Sequence, residues 1–191
     1  MSISNPGKNW WKPLHREEKI WMYIILGWAL ILLMMMPLGH LVSRQNVSQE
    51  TYKVTPQKFR KITDKFIEKY QKRDKNGKRV FKSGIAVVKA PAGKESYLIA
   101  RQWVFEPILE FEAGKTYRVH MSSMDVQHGF SLQPENLNFQ VMPDYDFVIT
   151  LTPRTAGDRY IVCNEFCLAP TKTQGHDSMV GMILVKDAKV K

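Results

Sequence analysis

The order of apolar and polar positions divides the chain into three textures. The first is Ile20–Gly39, "IWMYIILGWALILLMMMPLG", 20 positions without a charged residue. A helix needs about 20 apolar residues to cross a bilayer's hydrocarbon core, so residues 20–42 read as a transmembrane anchor preceded by a polar segment at 1–19. Trp21 and Tyr23 stand where interfacial aromatic anchors belong. The flank "MPLGHLVSRQ" offers no small-x-small cleavage site, so the run reads as a retained anchor and not a signal peptide.

The second texture, residues 43–83, is helical and basic. Phe59, Ile62, Phe66, Ile67 and Tyr70 recur at helical spacing with lysines between them. Thr55 is placed as an N-cap and Pro56 as the first helical residue, and "DKNGKR" closes the helix in a turn. From Gly84 to the end the pattern changes to short alternating runs. "GIAVVKA", "SYLIARQWVFEP", "ILEFEAGKTYRVHMSS", "NFQVMP", "FVITLTP", "RYIVCNEF" and "MVGMILVK" read as strands. Ala113-Gly114 and Ala156-Gly157-Asp158 mark turns. The fold class is therefore mainly β: one N-terminal transmembrane helix, then an antiparallel β-sandwich over residues 84–191.

Charge adds a local feature. The formal net charge is +10, a value that often points to nucleic acid or anionic lipid. Residues 53–83 carry 12 Lys/Arg against three acids, a net of +9, while residues 84–191 carry 11 against 12, a net of −1. The excess belongs to the helical segment, where membrane lipid or an acidic partner fits it, and no nucleic acid partner is expected. Four Lys/Arg precede the span (Lys8, Lys12, Arg16, Lys19) and two follow it closely (Arg44, Lys53). That asymmetry places the N-terminus in the cytoplasm and the large domain outside.

Candidate chemistry is concentrated in "CNEFCLAPTKTQGHDSM", residues 163–179, which holds both cysteines of the chain. Two cysteines exclude a disulfide framework and leave a single disulfide or a metal site. Thiolates, imidazoles and a thioether are soft ligands of the kind copper takes. His128, in "SSMDVQHGFSLQPENLN", follows a predicted strand and can reach the same end of the sandwich. Cys163, Cys167, His128 and His176 alone would suit structural zinc. One cysteine with two histidines and Met179 would suit a mononuclear blue copper. All five would suit a dinuclear copper centre. His120, alternating with Arg118 in "YRVHM", reads as a surface histidine, and His15 and His40 merely flank the span.

"DVQHGF", "CNEFC" and "GHDSM", behind a single span, resemble subunit II of the haem–copper oxidase superfamily, in its single-span branch. The resemblance is loose over residues 20–42 and close over 97–186. It implies a cupredoxin-like Greek-key sandwich carrying the dinuclear copper centre CuA. Its ligands would be His128, Cys163, the backbone carbonyl of Glu165, Cys167, His176 and Met179, with the two cysteines bridging. It implies that electrons from a c-type cytochrome or a small copper protein enter at Trp103, with Phe105 beside it, in "RQWVFEP". They would leave for haem in subunit I, where dioxygen is reduced, so this chain would be a non-catalytic subunit of an oxidoreductase complex. Magnesium would bind at the subunit I interface through the Glu165 side chain. A nitric oxide reductase of the same superfamily is the alternative complex, and a membrane-anchored mononuclear copper carrier the alternative role. The chain would lie in the cell (inner) membrane, its copper domain on the periplasmic or outer side. One departure stands out: the family usually has three residues between the second Cys and the His, whereas "LAPTKTQG" places eight here, an insertion centred on "APTKT".

Overall fold

The computed structural model describes residues 13–42, 50–167 and 175–188. The "APTKT" insertion, Lys8, Lys12 and Arg44 lie outside the described residues. The chain divides into two compact units, residues 1–44 and 45–191.

In the first unit, α1 spans Arg16–Val42. Its 27 residues correspond to about 40 Å at 1.5 Å per residue. Its most apolar window has a mean hydropathy of 2.1, and none of its residues is buried. It is long and apolar enough to cross a membrane.

The second unit runs β1 (Glu50–Lys53), α2 (Pro56–Tyr70), β2 (Phe81–Lys82), β3 (Ile85–Lys89), β4 (Glu95–Arg101), β5 (Val104–Glu106), β6 (Ile108–Glu112), β7 (Tyr117–Ser123), β8 (His128–Gln133), β9 (Leu137–Val141), β10 (Tyr145–Leu151), β11 (Gly157–Val162) and β12 (Val180–Lys186). One sheet has the order β1-β10-β7-β4-β5, the other β2-β3-β6-β12-β11-β8-β9. The expectation of an antiparallel sandwich needs correction, because β4 pairs with β7, β3 with β6 and β6 with β12 in parallel. Alternation along a strand sets which face is buried but not which direction its neighbour runs.

The core is the closed space between the sheets. Leu98, Ala100, Phe111, Val119, Met121, Phe130, Leu132, Ile161 and Ile183 are buried in it. Phe111 and Tyr117 stack at 4.1 Å, and the Tyr117 hydroxyl accepts from the Glu112 N–H at 2.8 Å. Residues 50–83 form no separate linker. β1 extends the five-stranded sheet, and α2 buries Phe59, Thr63 and Phe66 on the outer face of that sheet. Both phenylalanines pack edge-on to Tyr97 of β4. Their burial is worth about 1.5–3 kcal/mol each. Pro56 opens the helix as the spacing predicts, while Thr55 makes no side-chain cap bond. The closing turn is held by Asp74 Oδ1, which accepts from Asn76 N–H at 2.8 Å and Lys78 N–H at 2.9 Å.

Candidate metal centre

The parallel pairing of β4 with β7 brings their C-terminal ends to one pole of the sandwich, and β7 leads directly into the Ser123–His128 turn. β8, which the alternation pattern did not mark as a strand, starts at His128 itself. The antiparallel β11–β12 pair delivers the other residues: Cys163 follows β11, and Met179 precedes β12. Cys163 N–H donates to the Met179 carbonyl at 3.2 Å, fixing the two strand ends together.

Gly129 explains how the cysteine loop comes so close. A Cβ there would lie 2.1 Å from Asn164 Oδ1 and 2.7 Å from the backbone nitrogens of Asn164 and Glu165. The missing side chain lets the loop rest on β8, and the Gly129 N–H points at Cys163 Sγ, 3.4 Å away. Neither Gly129 nor Asp125 was marked in the sequence reading. The available signals were an acid three residues before the histidine and a glycine directly after it.

The sulfur atoms of Cys163 and Cys167 lie 3.6 Å apart, and both thiols are free. A disulfide requires about 2.05 Å, so that alternative is not the one formed. Cys167 Sγ is 3.6 Å from His176 Nδ1 and 3.8 Å from Met179 Sδ. Cys163 Sγ is 3.3 Å from the Glu165 carbonyl oxygen. Ligand atoms of His128, Cys163 and Cys167 all fall within 4.8 Å of one another. Every residue singled out as a ligand is therefore at this pole. His128, Cys163, Cys167 and Met179 are buried, whereas His176 is half-buried beside the exposed Phe166 ring.

Two observations test whether a metal fits. His128 is 0% exposed; its Nε2 is held by Asp125 Oδ1 at 2.7 Å, and its Nδ1 is buried without a hydrogen-bond partner among the described residues. A buried ring nitrogen left unpaired is costly unless something occupies it. Burial, and then the neighbouring Cys163 thiol, push the Cys167 thiol up to about 12. A cation is what reverses that shift and draws the thiolate out. Burial alone would raise the Asp125 carboxyl, but the Gln102 N–H, His128 and the Val126 N–H outweigh it and hold Asp125 below its ordinary value. The donor set, two sulfurs, two imidazoles and a thioether, suits copper.

The half-buried Glu165 side chain accepts from Gln140 Nε2 at 3.0 Å. Trp103 is half-buried against the core, with its Nε1 buried and unpartnered. Phe105 is 1% exposed and sits in the core, edge-on to Phe130 at 6.1 Å. His120, expected at the surface, is instead 9% exposed: Nδ1 is 2.7 Å from Asp146 Oδ2 and Nε2 is 2.5 Å from Glu95 Oε2.

No protein-family profile matches the chain. Two curated relatives, both from Thermus thermophilus and both named cytochrome c oxidase subunit 2, are each 30% identical over 92 residues. That stretch is 48% of this chain and 64% and 52% of the relatives, so the match spans less than two thirds of their length. Among solved structures, a chain of a heme-copper terminal oxidase dimer superposes with a TM-score of 0.54 at 22% identity, covering 90% of this chain and all of that one. This likeness shows the fold alone: an N-terminal apolar helix followed by a two-sheet β-sandwich.

Proposed function

We propose that this chain, a relative of cytochrome c oxidase subunit 2, is the single-pass, membrane-anchored subunit through which electrons enter a haem–copper oxidase. The observation that carries this reading is two free thiols 3.6 Å apart, buried against a histidine whose Nδ1 has no hydrogen-bond partner among the described residues. In this reading Cys163 and Cys167 would hold the coppers as shared thiolate donors, His128 and His176 as imidazole donors, and Met179 and the Glu165 carbonyl as weak ones. A dinuclear copper centre there would supply a one-electron relay.

The rest is done by the chain's own groups. Asp125 fixes the His128 ring through Nε2, so that Nδ1 faces the sulfurs. The Gly129 N–H offers a hydrogen bond to the Cys163 sulfur and favours its thiolate. Burial of four of the five side chains excludes water, which keeps reorganisation small. Trp103 is the group we assign to electron arrival. Its neighbour Gln102 donates its N–H to Asp125 Oδ2 at 2.7 Å, and Asp125 in turn holds His128, so a short bonded path joins the tryptophan to the site. Phe105 is too deeply buried to meet a donor and serves as packing behind that path.

The donor is a c-type cytochrome or a small copper protein, and the acceptor is haem in subunit I. Glu165, steadied by Gln140, is the side chain we assign to magnesium at the subunit I face. The N-terminus is cytoplasmic and the copper domain lies on the periplasmic or outer side. A nitric oxide reductase complex would use the same features. A mononuclear copper carrier would leave one buried thiol idle, and zinc would leave Met179, 3.8 Å from Cys167 Sγ, without a purpose.

The test uses the full-length chain in detergent, loaded with copper and titrated with a reduced c-type cytochrome. Two coppers per chain and one electron accepted per chain support the reading. One tightly held zinc and no electron uptake contradict it.

A further inference from the structure

The basic helix α2 carries a device that the copper reading does not use. Lys58, Lys61, Lys65 and Lys69 follow one another at spacings of three and four residues, which places them in one stripe along the helix. All four are exposed, and the stripe runs along a different face from the buried Phe59, Thr63 and Phe66. None has an acidic partner among the described residues; Lys69 only overlies the Tyr70 ring at 5.1 Å. Like charges at this spacing weaken a helix, so the stripe serves nothing inside the domain. Of the three acids in residues 53–83, Asp64 pairs with Arg60 at 3.0 Å and Asp74 holds the closing turn, which leaves Glu68 alone beside four lysines. The excess is also confined, since residues 84–191 are near neutrality.

Its position relative to the site is fixed by a bridge. Arg60, in the first turns of α2, donates to Glu106 Oε1 at 2.6 Å, and Arg101 Nε donates to the same oxygen at 3.0 Å. Arg101 and Glu106 flank Trp103 in the β4–β5 hairpin, so the first turns of α2, where Lys58 and Lys61 also lie, are tied to the hairpin that carries the tryptophan. Phe59 and Phe66 are spent on the sheet, so α2 has no apolar face left with which to enter a bilayer.

We propose that this lysine stripe is a steering surface for an electron donor with an acidic face, which it guides to the Trp103 corner. The inference rests on the copper reading for the word donor, and adds the partner's charge. A donor with a basic docking face is repelled by the same field. Exposed charges of one sign raise the rate of encounter with an opposite partner and lose that effect as salt screens them.

The experiment measures binding of the full-length chain, in a zwitterionic detergent, to two forms of one probe: native cytochrome c, which is cationic, and cytochrome c whose lysines have been succinylated, which is anionic. The anionic form binds at least about tenfold more tightly at low salt, and the preference vanishes at high salt. Replacing the four lysines by Gln removes the preference, and replacing them by Glu inverts it. Equal affinity for the two forms, or a preference indifferent to both variants, overturns the proposal. So does a result in which the variants lose only their retention on vesicles rich in anionic lipid, which makes the stripe a lipid contact. Copper content of the same preparations reports the metal reading separately, because neither probe needs copper to bind.

Discussion

His128 and His120 lie eight residues apart, both are buried, and each has a carboxylate oxygen 2.7 Å from one ring nitrogen. They differ in what faces the other nitrogen. His120 Nε2 meets Glu95 Oε2, and Arg118 ties Glu95 to Glu50, so a lattice of hard oxygen acceptors joins β1, β4, β7 and β10. Among the described residues His128 Nδ1 meets no hydrogen-bond partner, and thiol sulfur lies close by. The first arrangement pairs both ring nitrogens and favours an imidazolium, although Asp146 Oδ1 is buried without a partner among the described residues. The second is incomplete without a soft cation. Residue type and burial are the same, and the satisfaction of the second nitrogen decides between a structural charge network and a metal centre.

The largest effect that tests this contrast comes from His128→Gln. It should abolish the paired copper signal, measured by metal content and absorption, while changing apo stability less than the corresponding change at His120. His120→Gln should do the reverse. It strands two carboxylates and costs about 2 kcal/mol, seen as a fall of about 4–8 °C in apo melting temperature, with copper uptake unchanged. Copper loss in both variants, or in neither, would break the comparison.

A smaller effect belongs to the support of His128. Asp125→Asn keeps the shape of the turn but weakens the hold on Nε2, and should lower copper affinity about 10–100-fold, read from competition with a chelator. Unchanged affinity would mean that Asp125 only shapes the turn.

The smallest effect is the pH dependence of the apo chain. Burial would lower the His120 pKa, but Asp146 and Glu95 outweigh it and hold the group above its ordinary value. Below about pH 6.5 both folded and unfolded chains carry the proton, and the contribution is whole. As pH rises from there through the raised folded value, the unfolded chain gives up its proton first and the contribution is lost. The stability difference between the wild-type chain and His120→Gln should therefore shrink between pH 6 and 8, followed by thermal melts. A difference that grows with pH would contradict a His120 held protonated.

What could be read from the sequence was local. The anchor is a matter of length and polarity, and the closely spaced Cys163, Cys167, His176 and Met179 already imply soft coordination. What could not be read depended on partners distant in the chain. The direction of β4 against β7 is set by the crossover and not by either strand's alternation. His120 shares a polar face with Arg118, which reads as solvent-facing until α2, β1 and β10 are seen around that face. Phe105, two residues from Trp103 and on the same face by alternation, is core because Gly181 of the neighbouring sheet leaves room for its ring. Gly129 looks like any strand glycine until the cysteine loop is laid on it.

The most direct test of the central claim is the electron paramagnetic resonance spectrum of the full-length, copper-loaded chain, recorded with its copper count. Two coppers sharing one unpaired electron, in a purple protein, is the result this account predicts from two thiols placed 3.6 Å apart. One copper per chain with the spectrum of an isolated blue centre would contradict it, and would mean that Cys163 and Cys167 do not act as a bridging pair.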